Sequence, residues 1–543
     1  MTEKGRILRS ASVIALITVI SRICGYLRDQ RVVLLLGTST AADSFVLAFR
    51  IPNLIRRLIG EGSLGASFIP VFARTLRESP SAAWKFARHL FWVLAVFLAV
   101  ISLLAVVFSR QVIYLFTLFG GHRANWELAV YLNRIIFPYV FFLGLAALGM
   151  AILNTFHSFA LPAATSVVLN LTIIAFSFAV LYRPILRWAP EQFRTPAVAL
   201  GLGILVGGFL QFAMLVPALL RRGMNFSPAL SLSDPALRRV GRLMAPSFFG
   251  MGVYQINFFV DTIFATSPRM PAGSITSLYV ADRVMELVLG SYAIALSTAL
   301  LPSMAHLMAA GKMSEMKQTF AFSLRIVSFV TIPAAAGLIL LRGPIIRVLF
   351  QHGAFSAAST LLTSRALLFY SLGLPAFAAI KLLTPVYFSA QDTMTPAVIG
   401  AWSLGLNIVL NTLFLLFFAR VLSNGSPALA SSLAAYFNFA ALFIIFRRRF
   451  GGVGAQGLLA AFAKMCICAA VMSALCVYAL RISHFDTFQH FLWQALWLAG
   501  VIGAAVAVYL GLARLVKCEE LSELWSLLRR AEPAESAALR ADA

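Results

Sequence analysis

The stretch LAFRIPNLIRRLIGEG, Leu47–Gly62, has the apolar density of a membrane-crossing helix, yet it carries Arg50, Arg56, Arg57 and Glu61. A charge at the centre of a span costs about 2.5–3.5 kcal/mol on insertion scales, so such groups face a wet cavity or a partner rather than lipid. Wound as a helix, Arg50, Asn53, Arg57 and Glu61 fall at i, i+3, i+7 and i+11 and form one polar stripe, with Arg56 one position off it. Pro52, Gly60 and Gly62, followed by Gly65, add bending points along the same segment. Glycine is common in ordinary membrane helix packing. Between the residues of a polar stripe, it equally suits a hinge.

The rest of the chain gives this helix its setting. Of 543 residues 60% are hydrophobic and only 12% charged, and apolar runs of about 20 residues recur along most of the length, as in a polytopic helical membrane protein. The fold class expected is therefore an all-α polytopic membrane protein. Fourteen spans are expected, near 7–36, 41–72, 88–116, 128–156, 161–183, 196–220, 244–266, 273–303, 318–341, 359–389, 395–420, 427–446, 456–480 and 490–514. The first, second and eighth are the weakest hydrophobic signals, because polar groups interrupt them. The opening MTEKGRILRSASVIALITVI has the basic start and apolar run of a signal peptide, but SRICGYLRDQ follows instead of a small-residue cleavage site, which reads as a retained first helix. Cys24, Cys466, Cys468, Cys476 and Cys518 show no metal or disulfide spacing.

The net charge is +24. An arginine- and alanine-rich genome together with basic cytoplasmic loops covers most of it, with Lys4, Arg6 and Arg9 at the start, Arg238, Arg239 and Arg242 in the middle and Arg447, Arg448 and Arg449 near the end. The bias places both termini in the cytoplasm and agrees with an even span count. One loop, YRPILRWAPEQFRT (Tyr182–Thr195), runs against the rule.

An internal repeat is also visible. FIPVFA (Phe68–Ala73) resembles LLPSMA (Leu300–Ala305), AFR ending at Arg50 matches ADR ending at Arg283, VIYLFTLFG (Val112–Gly120) matches IIRVLFQHG (Ile345–Gly353), and Pro162 pairs with Pro396, all at offsets of 232–234 residues. Four weak matches at one offset indicate duplication of a six-helix unit and a pseudo-two-fold axis along the membrane normal. The expected organisation is an N-lobe at 1–222, a cytoplasmic linker at 223–243, a C-lobe at 244–449, two further helices at 450–515 and a cytoplasmic tail at 516–543. A transporter with a cavity between two lobes follows.

Polar groups inside spans recur beyond the opening stretch. The first helix holds Arg22, Arg28 and Asp29, and the eighth clusters Asp282, Arg283 and Glu286 within one turn. Arginines near span ends can snorkel to the interface, and internal ion pairs are available, Arg57 with Glu61 and Arg283 with Glu286. Basic groups outnumber acids, however, and the surplus points to an anionic ligand. Arginine suits phosphate, because a planar guanidinium grips two oxygens at once. That surplus would repel a cationic drug. An enzyme acting on polyprenyl phosphates is disfavoured by the absence of a DDxxD-like magnesium cluster, and ATP hydrolysis by the absence of GxxxxGK[ST]. No metal site, cofactor or nucleic-acid partner is implied. A driving force would come from an ion gradient, the membrane potential or downstream consumption.

SRICGYLRD, ADSFVLAFRIPNLIRRLIGEGSLGASFIPVF, YVADRVMEL, FQHGAFS and FSAQDTMTP closely resemble the MurJ (MviN) lipid II flippases of bacterial peptidoglycan synthesis, over the first twelve spans. The resemblance implies a member of the multidrug/oligosaccharidyl-lipid/polysaccharide exporter superfamily, with two six-helix lobes and two extra helices forming a groove for the polyprenyl tail. It implies that lipid II, an undecaprenyl-diphosphate-linked precursor, is flipped across the cytoplasmic membrane by alternating access, without enzymatic chemistry. The family's cavity arginines map onto Arg22, Arg28, Arg56 and Arg283, with Arg50 where the family also has lysine. Neighbouring polar positions map onto Asp29, Asp43, Asn53, Arg57, Glu61 and Glu286, so the expected binding set is Arg22, Arg28, Arg50, Asn53, Arg56, Arg57 and Arg283. Expected supporting groups are Asp29, Asp43, Glu61, Asp282 and Glu286, and the expected hinge is Pro52, Gly60 and Gly62. Partners implied are lipid II, membrane lipids and the peptidoglycan synthesis machinery. No pattern establishes a sodium site; Asn257, Asp261 and Asp392 are candidates only. Another lipid-linked oligosaccharide would satisfy the same charge logic.

Overall fold

The structure, a computed structural model, describes residues 3–58, 64–118, 126–231, 233–452, 455–483, 485 and 490–523. Gly60, Glu61 and Gly62 of the expected stripe and hinge lie outside them, as does the side chain of Arg57. Secondary structure among the described residues is helical throughout. The first half contains α1 (Glu3–Leu36), α2 (Thr40–Leu58), α3 (Leu64–Glu78), α4 (Pro80–Val107), α5 (Ser109–Phe116), α6 (Trp126–Ile136), α7 (Tyr139–Thr155), α8 (Ala160–Phe176), α9 (Ala179–Leu186), α10 (Pro196–Ala213) and α11 (Val216–Arg221). The remainder contains α12 (Pro235–Ala265), α13 (Ser274–Ala309), α14 (Met313–Phe350), α15 (Ala357–Ser389), α16 (Met394–Phe417), α17 (Ala419–Leu422), α18 (Ser426–Phe450), α19 (Ala455–Ile482) and α20 (Phe491–Leu515).

Over their described residues the expected spans are mostly helical, with breaks of one or two residues at Phe108, Phe137–Pro138, Ser177–Phe178, Met214–Leu215 and Phe418. Among the described residues nine stretches are long and apolar enough on composition alone to cross a membrane. α1, α2 and α13 are not among the nine, and side chains at 3–15, 57–58, 291–299 and 301–302 within them lie outside the described residues. α8, at 17 residues, is apolar but short. Several first-half spans are built from two pieces. The α6–α7 break falls at Pro138, whose missing N–H suits the start of a new helix. α2 by contrast continues through the buried Pro52.

The chain divides by packing into two units, Met1–Thr276 with His352–Ser359, and Ser277–Gln351 with Thr360–Ala543. In the first, α8 packs on α1 and α10, α7 on α3, α4 and α10, and α12 on α2, α3 and α4. Phe68 stacks on Phe72 and Phe86 at 5.0 and 5.6 Å, and Trp84 on Phe156 at 5.8 Å. Gly207 and Gly208 let α10 approach Leu169 and Tyr139 so closely that a Cβ would meet them at 2.7 and 2.3 Å, the small-residue packing that substitutes for hydrophobic drive in lipid. The repeat puts the lobe boundary in the 223–243 linker, whereas packing assigns α12 to the first unit. Part of that linker is strapped to α4: Trp92 Nε1 donates to the Phe226 and Ser227 carbonyls, and His89 meets Asp234, the N-cap of α12, at 2.9 Å.

In the second unit, a buried polar seam joins α16 to α18. Ser403 donates to the Ala434 carbonyl, and Asn407 Nδ2 donates to Ser431 Oγ at 3.1 Å. Asn411 Nδ2 donates to Asn407 Oδ1 at 3.0 Å. α19 and α20 pack on each other and on α14, where the Tyr509 hydroxyl donates to the Phe329 carbonyl at 2.9 Å. Just past α20, Glu519 and Glu520 approach Arg325 of α14 at 3.1 and 3.6 Å. Cys468, Cys476 and Cys518 are buried and Cys466 is exposed, all as free thiols.

Candidate functional site

In the first unit the polar groups of α1 and α2 form three separate arrangements. The first centres on Arg28, whose Nε and Nη2 donate to Asp29 Oδ1 at 2.9 and 2.6 Å. Its Nη1 donates to Asn170 Oδ1 on α8 at 2.9 Å, and Asn170 Nδ2 returns a bond to the Ser21 carbonyl at 3.2 Å. Arg28 and Asp29 are nearly buried, with side-chain exposures of 14% and 9%. Gly25 borders this arrangement, where a Cβ would sit in ordinary contact with the Asn170 amide at 3.5 Å. A guanidinium held on two sides is pre-oriented, so little rotamer entropy remains to be lost when it meets an anion. Arg22, earlier on the same helix, is exposed.

The second arrangement lies on α2. Arg56 Nε donates to Asn53 Oδ1 at 2.7 Å, an i, i+3 contact along the helix. Arg50, on the same face, donates to the Thr262 hydroxyl of α12, next to the buried Asp261. Of the expected stripe, Arg50 thus reaches α12, while Asn53 accepts from Arg56, one position off the stripe.

Asp43 forms the third. It accepts from the Gly273 N–H, the Thr276 N–H and the Thr276 hydroxyl, each at 2.8 Å. A carboxylate so placed caps the start of α13, satisfying otherwise orphaned donors and complementing the helix dipole. Close backbone contacts surround it. Ala354 N–H donates to the Leu34 carbonyl at 2.8 Å, and the Thr38 and Ser359 hydroxyls meet at 2.8 Å. Gly353 has φ +59°, and a Cβ there would meet the Leu34 oxygen at 2.6 Å, so glycine is required twice over.

In the second unit, Arg283 pairs with Glu286 at 2.6 Å, its guanidinium 4.9 Å from the centre of the Tyr279 ring. Asp282 beside it is buried. Of the candidate cation ligands, Asp392 lies in the turn between α15 and α16, where it accepts from the Thr395 N–H and hydroxyl at 2.9 and 2.7 Å and pairs with Arg449. Burial pushes this carboxyl up, but the two Thr395 bonds and Arg449 outweigh it and hold it below the usual carboxylate range. Among the described residues no group of three or more His, Cys, Asp or Glu side chains is placed to hold a metal ion.

Three partners escaped the sequence reading. Asn170, Thr262 and Thr276 lie 142, 212 and 233 residues from the groups they bind. A lone Asn in an apolar run was the available signal for Asn170.

A family model described as "Lipid II flippase MurJ" matches residues 32–496. A protein of Vibrio cholerae named "Probable lipid II flippase MurJ" is 33% identical over 537 residues, covering 95% of this chain and 97% of the relative. One of the same name from Bdellovibrio bacteriovorus is 33% identical over 528 residues, with 96% and 97% covered. Among solved structures, "Lipid II flippase MurJ, inward closed conformation" superposes with a TM-score of 0.75 at 24% identity, covering 92% of this chain and 98% of that one. An inward-facing multidrug-resistance MATE transporter of the MOP superfamily follows at 0.62 and 14% identity, with 82% and 98% covered.

Proposed function

The chain belongs to the MurJ family of lipid II flippases, and from that membership we propose that it carries lipid II from the inner to the outer leaflet of the cytoplasmic membrane. It is a membrane transporter rather than an enzyme. The cargo combines a diphosphate, a bulky polar head and a long polyprenyl chain, so a carrier must supply anion contacts in a wet interior while leaving the tail in lipid.

The observation that carries the reading is the fixed Arg28 guanidinium, held between Asp29 and Asn170. We assign the diphosphate to Arg28 together with Arg22, Arg50, Arg56 and Arg283. Arg57 joins them on the strength of its position on α2. Asp29 and Glu286, already paired with Arg28 and Arg283, exchange those arginines with the phosphate oxygens as cargo enters and leaves. Such exchange keeps each guanidinium paired with an anion, by the carboxylate without cargo and by phosphate with it.

Transport by alternating access of the two repeated halves, with α19 and α20 guiding the polyprenyl tail and both termini in the cytoplasm, completes the proposal. The driving force is the membrane potential or a cation gradient, and the peptidoglycan synthesis machinery consumes the product outside. The test is depletion of this protein in its own cells, scoring lipid II accessible to an enzyme confined to the outside. Outward lipid II falls and the inner pool rises if the reading holds. If lipid II keeps arriving outside, another carrier flips it and this chain moves a different lipid-linked oligosaccharide.

A further inference from the structure

The loop between α8 and α10 is ordered, basic and unused by the transport mechanism. It begins at Ser177 and Phe178, where Arg31 clamps it: Nε donates to Ser177 Oγ at 3.1 Å, Nη2 to the Ser177 carbonyl at 3.2 Å, and the guanidinium lies 4.7 Å from the centre of the Phe178 ring. After α9, three successive turns are closed by Arg187, Trp188 and Ala189 N–H groups donating to the Pro184, Ile185 and Leu186 carbonyls. Ala189 is buried and Phe193 stacks on Tyr131 of α6 at 4.8 Å. Between these anchors Trp188 is held 90% exposed.

An ordered turn that presents a bare indole to the surroundings is costly in water. Beside the Pro196–Arg221 stretch, which is apolar and long enough to cross a membrane, the same indole would suit the membrane interface, where tryptophan is enriched because its ring is apolar and its N–H polar. The charges narrow the choice of partner. Arg183 and Arg187 are both exposed and four residues apart, hence on one helical face, where two like charges repel. The loop's ion pair among the described residues is Arg194 with Glu191, at 3.3 Å. Glu191 is also the loop's one acid. An anion between Arg183 and Arg187 relieves their repulsion. This is also the loop that breaks the positive-inside rule, so its arginines are not explained by orientation.

We propose that Arg183, Arg187 and Trp188 form a docking site for an anionic phospholipid head group, with the phosphodiester between the two guanidiniums and the indole at the level of the glycerol. The site fixes the depth of the α8–α10 end of the first unit against the leaflet. It stands independently of the cargo, since it needs neither Arg28 nor lipid II.

The experiment reconstitutes the full chain in bilayers containing brominated phosphatidylglycerol or, at equal mole fraction, brominated phosphatidylcholine. The fluorescence of Trp188→Phe is subtracted from that of the unaltered protein to isolate Trp188 from the other seven tryptophans. Quenching stronger with brominated phosphatidylglycerol is expected, by up to about fivefold local enrichment per arginine, and Arg183→Gln with Arg187→Gln should equalise the two lipids. Equal quenching by both lipids in the unaltered protein would overturn the head-group site and leave an unselective aromatic anchor. Absence of quenching by either would overturn it too, placing Trp188 in water, open to a protein partner instead.

Discussion

Arg28 and Asn170, 142 residues apart, are joined by a 2.9 Å hydrogen bond in which the amide oxygen accepts and the amide nitrogen passes the link on to the Ser21 carbonyl. Asn170 therefore acts as a positioning residue. A hydrogen bond to a charged group contributes about 1.5–3 kcal/mol, so Asn170→Leu should lower lipid II transport on the order of tenfold at unchanged protein level. Asn170→Asp keeps an acceptor for Arg28 but loses the donor to Ser21, and should retain more transport than the leucine variant. Equal loss in both, measured by outward lipid II per molecule of protein, would contradict the orienting role.

Asp43 presents a different kind of dependence. Both carboxylate oxygens are engaged at the start of α13, and an amide in place of the carboxylate would turn an N–H₂ toward one of the donors. Asp43→Asn should lower thermal stability by about 1–2 kcal/mol, and Asp43→Ala by more. Thermal unfolding followed by size-exclusion fluorescence in detergent checks this. Unchanged stability in both variants would remove the cap from the account.

Gly353→Ala places a Cβ against the Leu34 oxygen in a left-handed backbone conformation. The expected cost is about 1–3 kcal/mol. Gly457→Ala, in α19 where a Cβ meets nothing within 4 Å, serves as the control and should be neutral or stabilising by up to about 1 kcal/mol in the same unfolding assay.

The α16–α18 seam should behave as interhelical glue. Asn407→Leu removes the bond to Ser431 and the acceptor for Asn411. Membrane hydrogen bonds of this kind contribute about 0.6–2 kcal/mol each. Urea or heat denaturation in mild detergent should register that loss, with Ser431→Ala costing less because the Asn411–Asn407 bond stays.

Asp392 gives the pH dependence. Its carboxyl is held below the usual range by Thr395 and Arg449, against burial. A depressed folded pKa means stability that is fully present above the unfolded value of about 3.9 and is lost as pH falls through the folded one. The stability difference between the unaltered protein and Asp392→Asn should be flat between about pH 5 and 8 and shrink only below about 4. A difference that changes around neutrality would assign the effect to another group.

Much of this was legible locally. Contacts at i, i+1 or i+3 were within reach of a helical wheel: Arg56 with Asn53, Arg283 with Glu286, Arg28 with Asp29. Long-range partners were not. Nothing in the spacing of Arg50 and Thr262, or Asp43 and Thr276, announces that they meet, because helix rotation and tilt in the membrane are set by packing rather than by period. The wheel put Arg50 and Asn53 on one face of α2, but not that Arg50 would reach Thr262 of α12 while Asn53 accepts from Arg56. The spans were readable as helices.

The central claim is that the arginines hold the diphosphate, and the most direct measurement is equilibrium binding of lipid II to purified protein with Arg28→Ala and Arg283→Ala against the unaltered chain. Each variant should weaken binding on the order of tenfold or more, since a charge-assisted phosphate contact is lost. Undecaprenyl diphosphate, which lacks the sugar and peptide, should compete in the unaltered protein and fail to compete in the variants. Lipid II affinity unchanged in both folded variants would contradict the account and move the head-group site away from these arginines.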